Sequence, residues 1–213
     1  MSMVNMTEKE LIRRCKKKNA KAQKLLYKRY HGSLLGICMR YGKSKAEAED
    51  ILQMAMLKIY KKIDSFSERG SFEGWMKRIV VNVAVDNFRK NSKYYYHDSI
   101  DDANEKFLGS GDIPDNLEAN DILRTIQQLA PGYRMVFNLF AIEGYSHKEI
   151  AEKLGITEST SKTQLLKARQ KLQKMLLNLN RLPEKQPKDE NRQVVVKKFY
   201  SSELVPAEVV THK

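Results

Sequence analysis

One run leaves this chain few folds to choose from: Gly144-Tyr145-Ser146-His147-Lys148-Glu149-Ile150-Ala151-Glu152-Lys153-Leu154-Gly155-Ile156-Thr157. Ser146 and Glu149 have capping-box spacing, which predicts a helix start. Ile150, Ala151 and Leu154 then fall on one helical face. Gly155 sits where a tight turn needs a positive φ, and Thr157 is suited to cap the next helix. Over residues 158–174 five bases (Lys162, Lys167, Arg169, Lys171, Lys174) face one acid. A short capped helix, a glycine turn and a longer cationic helix are the parts that place a helix in the major groove. An ordinary helical hairpin with a solvated lysine face has the same pattern, so this segment alone leaves both readings open.

Net charge weighs toward the first. The 213 residues carry a formal +13, which attracts a polyanion, either nucleic acid or an anionic membrane surface. No apolar run approaches the roughly 20 residues that span a bilayer, and the first residues lack the pattern of a signal peptide. The expectation is a soluble, cytoplasmic protein with no membrane insertion. Cys15 and Cys38 are too few for a disulfide framework.

Composition changes abruptly in the middle of the chain. Residues 98–121 hold eight acids and one base, Lys106, with Gly109, Gly111 and Pro114 among them. Such a stretch has little to bury and is expected to be a flexible acidic linker. Its acids, tethered beside two basic domains, are expected to compete with DNA phosphate in the free protein. The fold class is therefore all-α: two small helical domains, 7–93 and 117–180, joined by a linker over 94–116. A polar C-terminal extension over 181–213 has no assigned role. Within it Val194-Val195-Val196 is the one candidate strand.

The first domain shows its helix starts. Thr7 with Glu10 and Ser44 with Glu47 are capping-box pairs. Leu11, Ile12 and Cys15 lie on one side of the first helix, opposite a heavy Lys/Arg load. Ala22, Leu25, Leu26, Tyr30, Leu34, Leu35 and Cys38 follow at helical spacing, with a bend expected at His31-Gly32. A third helix over 46–63 puts Leu52, Ala55, Met56, Ile59 and Ile63 on one face. A loop over 64–70 leads to a fourth, over 71–91, with Phe72, Trp75, Met76, Ile79, Val80 and Val83 as its packing residues.

Three stretches then resemble a known family. Ala48-Glu49-Asp50-Ile51-Leu52-Gln53 with Leu57-Lys58-Ile59-Tyr60 is similar to the core-polymerase-binding segment of bacterial RNA polymerase sigma factors. Asp64-Ser65-Phe66, Gly70-Ser71-Phe72, Trp75, Arg78-Ile79, Asn82 and residues 86–89 resemble their −10 recognition segment. From Leu129-Ala130-Pro131 to Arg169 the chain looks like their −35-binding domain. Two domains with only a linker between them match the extracytoplasmic-function (ECF) group.

The resemblance implies roles residue by residue. Core RNA polymerase is expected to meet Asp50, Ile51, Gln53, Met54 and Leu57, although Met54 stands where the family usually has an acid. Promoter DNA at −10 is expected to meet Ser65 and Phe66, which wall a pocket for a flipped base, with Asn82 opposite. An amide donates and accepts at once and so can read a base edge. Lys77, Arg78, Arg89 and Lys90 are expected to hold phosphates. At −35 the expected contacts are Thr160, Lys162, Thr163, Gln164, Leu166 and Lys167. There lysines suit guanine edges or phosphates, Gln164 an adenine and Leu166 a thymine methyl. Phe72 and Trp75 are expected in the core, whereas the side chains of Tyr94, Tyr95 and Tyr96 are ambiguous. An anti-sigma factor is a further partner common in the group.

Enzymatic readings find no footing. His31, His97, His147 and His212 form no metal-ligand spacing with the two cysteines, and no Gly-rich phosphate loop or Ser/His/Asp arrangement stands out. No catalytic residue, metal or cofactor is implied. Two further classes stay open: a stand-alone helix-turn-helix regulator, against which the first domain argues, and a basic helical adaptor that binds no DNA.

Overall fold

The computed structural model describes residues 6–97 and 117–181. The expected linker from residue 98, the C-terminal extension from residue 182 and the Val194–Val196 segment lie outside the described residues. So do the side chains of Tyr94, Tyr95 and Tyr96.

Helix α1 (Glu8–Lys16) begins where Thr7 accepts from the Glu10 amide at 3.3 Å, and it buries Leu11, Ile12 and Cys15. Helix α2 (Ala20–Tyr41) is capped by Asn19 and runs unbroken through Gly32. No bend forms there because Ala22, Leu26, Tyr30, Leu34 and Cys38 keep one continuous stripe in the core. Helix α3 (Lys45–Lys62) starts at Ser44, whose hydroxyl accepts from the Glu47 amide. The Glu47 carboxylate bonds the Lys43 amide rather than closing the box. A 3₁₀ turn, Ile63–Ser65, ends it. Helix α4 (Phe72–His97) extends past the expected end, so residues 94–97, expected as linker, are helical.

These four helices share one core, with α2 packed on α1, α3 and α4. At its end Phe66, Phe72 and Trp75 form an aromatic nest with ring centroids 5.0–5.6 Å apart, and Tyr30 meets Phe72 edge-on. Full burial of a ring such as Phe72 contributes about 2 kcal/mol, which holds the loop before α4 against the domain.

The second unit comprises α5 (Leu117–Gln127), α6 (Pro131–Phe137), α7 (His147–Leu154) and α8 (Glu158–Arg181). Pro131 opens α6 at a position where its missing N–H costs nothing. A π-helical turn, Asn138–Ile142, continues α6. Leu129, Val136, Leu139, Ile150, Leu165 and Ala168 form its core.

The two units touch. The Gln127 amide donates to the Met39 carbonyl at 2.8 Å and the Asn138 amide to the Arg40 carbonyl at 2.7 Å. The Arg40 guanidinium pairs with Glu143 at 3.0 Å, and the Tyr41 hydroxyl reaches the same carboxylate at 3.4 Å. Two buried polar atoms of this seam, Arg40 Nε and Asn138 Oδ1, have no partner. Apolar contact accompanies these polar bonds: the buried residues of both units form one cluster, and Ile51, Ala84 and Phe88 border a cleft shared with Pro131 and Met135.

Candidate DNA and protein interfaces

On α3 the exposed residues Asp50, Gln53, Met54 and Leu57 line one face at helical spacing. Leu57 is 66% exposed and Met54 40%, so neither serves the domain's own core. Ile51, expected beside them, is 1% exposed. In this arrangement Ile51 is closed to a partner: it lies on the buried stripe with Ala48, Leu52 and Ala55 and borders a cleft shared with Pro131 and Met135 of the second unit.

The expected −10 residues divide. Ser65 is exposed, its hydroxyl donating to the Lys62 carbonyl at 2.7 Å. The Phe66 ring is buried in the aromatic nest, which corrects its expected place as an open pocket wall. The exposed rim of this loop is instead Ser67, Glu68, Arg69, Gly70 and Ser71, with Glu68 and Gly70 both at positive φ. Along α4 the exposed residues Arg78, Asn82 and Arg89 fall within a narrow arc of one face. Lys77 leaves that arc and pairs with Glu73 at 3.0 Å, which holds the Glu73 carboxyl below its ordinary value. Lys90 is exposed beside Arg89. Asn82 is not free in this arrangement: Lys153, from α7, donates to its side-chain oxygen at 3.5 Å. Lys153 also lies 4.7 Å over the Tyr145 ring. The contact joins residues 71 positions apart, and no local pattern in the sequence signals it.

The helix-turn-helix forms as its residues dictate. Ser146 and Glu149 close a full capping box, and the two Ser146 bonds hold the Glu149 carboxyl below its ordinary value. Gly155 turns the chain at φ 69°. The Thr157 hydroxyl accepts from the Thr160 amide at 3.1 Å and meets the Thr160 hydroxyl at 2.8 Å. Behind the turn, Ser161 is fully buried, its hydroxyl 2.9 Å from His147 Nδ1. His147 stacks on Phe140 with centroids 4.5 Å apart. Burial, with Lys162 and Arg169 nearby, pulls the His147 pKa below its ordinary value.

Helix α8 presents Lys162, Thr163, Leu166 and Lys167 to solvent on one face, and Leu166 is 57% exposed. Thr163 donates to its own helix at the Ser159 carbonyl. Lys162 pairs with Glu158 at 2.9 Å, an exposed i,i+4 pair that water and salt screen and that a phosphate can replace. Two expected contacts are less open than these. Thr160 is half-buried with its hydroxyl engaged by Thr157. The Gln164 amide is half-buried against α6, 3.4 Å from where a Cβ on Gly132 would stand. In the free protein helix capping and helix–helix packing therefore engage these two side chains. Arg169 and Lys171 lie over the rings of Phe140 and Tyr133 rather than beside acids.

Among the described residues no helix is long and apolar enough to cross a membrane. Comparison with known proteins gives two family matches: Sigma-70 region 2 over residues 26–94 and Sigma-70, region 4 over residues 119–172. The chain is 32% identical over 187 residues to the ECF RNA polymerase sigma factor SigW of Bacillus subtilis, covering 83% of this chain and 100% of that protein. It is 28% identical over 176 residues to the ECF RNA polymerase sigma-E factor of Escherichia coli, covering 78% and 92%. Among solved structures, the sigma factor RpoE of Bartonella quintana, crystallised with the anti-sigma factor NepR, matches with a TM-score of 0.45 and 23% identity over 72% of this chain and 95% of that one.

Proposed function

The chain belongs to the ECF group of sigma-70-family RNA polymerase sigma factors, and we infer from that premise how its surfaces divide the work. A sigma factor binds core RNA polymerase and directs promoter-specific initiation. The α3 face of Asp50, Gln53, Met54 and Leu57 docks on the core enzyme. Arg78, Asn82 and Arg89 on α4, with the rim of the 66–71 loop, take the −10 region. Lys162, Thr163, Leu166 and Lys167 on α8 enter the −35 major groove. Phosphodiester chemistry belongs to the polymerase, so this chain acts in the cytoplasm without catalytic groups of its own. An anti-sigma factor is the partner expected to compete for the same surfaces.

One observation carries this reading: α3 leaves Leu57 two-thirds exposed between polar neighbours, on a helical unit separate from the one whose α8 presents a cationic face. A lone DNA-binding module has no use for the first surface. Physically, the two duties require different contacts. Duplex −35 DNA is read by side chains reaching into a groove, whereas melted −10 DNA is held by capturing unstacked bases. Asn82, midway along a rigid α4, offers both a donor and an acceptor for such a base once Lys153 withdraws.

Run-off transcription with purified core polymerase over a promoter library tests the reading. Wild-type protein is expected to start transcripts at a discrete promoter class. Tight duplex binding by the free protein, with no core-dependent transcripts, would instead mean a stand-alone regulator.

A further inference from the structure

Most of the positive charge of this protein lies away from both DNA sites just described. From Lys9 to Arg29, ten basic side chains stand against one acid, Glu10, which accounts for nine of the thirteen net charges. Glu10 is already engaged by Arg13 and Arg14. The remainder forms a ridge. Lys17 and Lys18 occupy the α1–α2 turn, and Lys21, Lys24 and Lys28 follow on the face of α2 opposite Ala22, Leu26 and Tyr30. All five are exposed, and none pairs with a carboxylate among the described residues.

Folding gives no reason for the ridge. Like charges at i,i+3 and i,i+4 spacing destabilise a helix. Lys18 also adopts φ 57°, a backbone region that a lysine enters at some cost. The ridge runs on from the −10 loop: Lys16 donates to the Phe66 carbonyl at 3.1 Å, which ties the α1–α2 turn to the segment after Ser65. Beside the lysines, Tyr27 is 40% exposed and its ring packs on His31 with centroids 4.9 Å apart. A cationic track with an exposed ring is the arrangement that holds single-stranded nucleic acid without reading its sequence. A membrane surface fits less well, because the apolar face of α2 is consumed by the domain core and cannot enter lipid.

We propose that Lys17, Lys18, Lys21, Lys24 and Lys28, with Tyr27, form a second, sequence-independent DNA track. It receives the phosphate backbone of the melted promoter strand as it leaves the −10 loop. From Lys21 to Lys28 the ridge extends about 10 Å. Its role is to hold the open strand once melting has begun. This rests on the −10 assignment made above.

The test uses reconstituted holoenzyme and a promoter with duplex −35 DNA and a pre-melted bubble from −10 downstream, followed by fluorescence anisotropy across a salt series. A variant with Lys17, Lys18, Lys21, Lys24 and Lys28 all changed to Gln is expected to bind the bubble on the order of tenfold more weakly at low salt. Its log–log salt slope should be shallower by about 0.7 for each phosphate no longer neutralised. Arg at the same five positions should restore binding, which excludes a folding defect. Core-enzyme affinity and binding to fully duplex −35 DNA should match wild type. Equal affinity and slope on the bubble would overturn the ridge alone. So would a loss of core affinity without DNA, or capture of phosphatidylglycerol vesicles by wild type only, with bubble binding unchanged. A wild-type holoenzyme that ignores the bubble would overturn the −10 reading itself, and the ridge with it.

Discussion

Arg40 and Glu143 stand 103 residues apart in the chain and meet at 3.0 Å across the seam between the two helical units. Both are about three-quarters buried, so the pair is partly desolvated, and Arg40 Nε is left without an acceptor. On the same seam Lys153 occupies Asn82, the residue assigned to base reading, while the exposed faces of α3 and α8 stay open. This arrangement thus leaves the faces proposed for polymerase and −35 DNA available and covers part of the face proposed for −10 DNA.

Glu143→Gln is expected to loosen the closed arrangement by about 1–2 kcal/mol, since it removes a charge-assisted bond while leaving a neutral acceptor. Spin labels at the exposed positions Lys61 and Glu152 would report it as a new, longer distance population in pulsed dipolar spectroscopy. Identical distance distributions for variant and wild type would mean that the pair does not hold the units together.

Leu57→Asp and Ile51→Ala should separate surface from core on one helix. Leu57→Asp is expected to cut affinity for core polymerase at least about tenfold with little change in stability, as for an exposed interface position. Ile51→Ala is expected to cost about 2–5 kcal/mol of stability through the cavity it leaves. Urea melts and core-binding titrations read the two effects. A Leu57 variant with normal core affinity would remove α3 from the polymerase contact.

On α8, changing Lys162 and Lys167 to Ala should weaken duplex −35 binding and flatten its salt slope by about 0.9 for each phosphate left without its lysine. Gln164→Ala should leave base preference nearly unchanged, because that amide packs toward Gly132. Anisotropy titrations against single-base −35 variants decide this. An altered base preference in the Gln164 variant would show that the amide swings out to DNA.

His147 makes the second unit acid-sensitive. Its folded-state pKa lies below the ordinary 6.5 because of burial first, then Lys162 and Arg169, with Glu158 opposing. As pH falls the unfolded chain therefore takes up the proton before the folded chain does. Stability is full above about pH 7 and declines as pH drops through 6.5 toward the folded-state value. Carboxyls with lowered pKa, such as Glu149 and Glu158, lose their contribution only below 4.5. Thermal melts between about pH 7.5 and 5.5 should show the decline in wild type and not in His147→Gln. The same slope in both would assign it elsewhere.

Cys15 and Cys38 are buried, and burial pushes their thiols up to about 11 and about 12. Neither supplies thiolate at neutral pH. Alkylation by iodoacetamide should be slow in native protein and rapid in urea; rapid native labelling would contradict the burial.

Local chemistry is legible in the chain itself. The Ser146–Glu149 box, the Gly155 turn and the caps at Thr7 and Ser44 act between residues a few positions apart. Periodicity likewise separates Leu52 and Met56, which face inward, from Leu57, which does not. Neighbours within one helix turn are harder to place. Resemblance gives Ile51 and Phe66 to partners, yet the packed protein buries both, Phe66 in its own domain and Ile51 beside Pro131 and Met135 of the second unit, because burying an apolar side chain is favourable. Thr160 and Gln164 go likewise to a helix cap and to α6.

The sequence by itself determined the helices, their caps, the helix-turn-helix and the charge that draws the chain to DNA, since each follows from side-chain type and short-range spacing. Only the tertiary structure decided which residues of each helix remain open. It alone brings Arg40 to Glu143, Lys153 to Asn82 and Lys16 to the Phe66 carbonyl. These contacts depend on how whole helices pack, and no local pattern encodes a meeting between residues 50 or more positions apart.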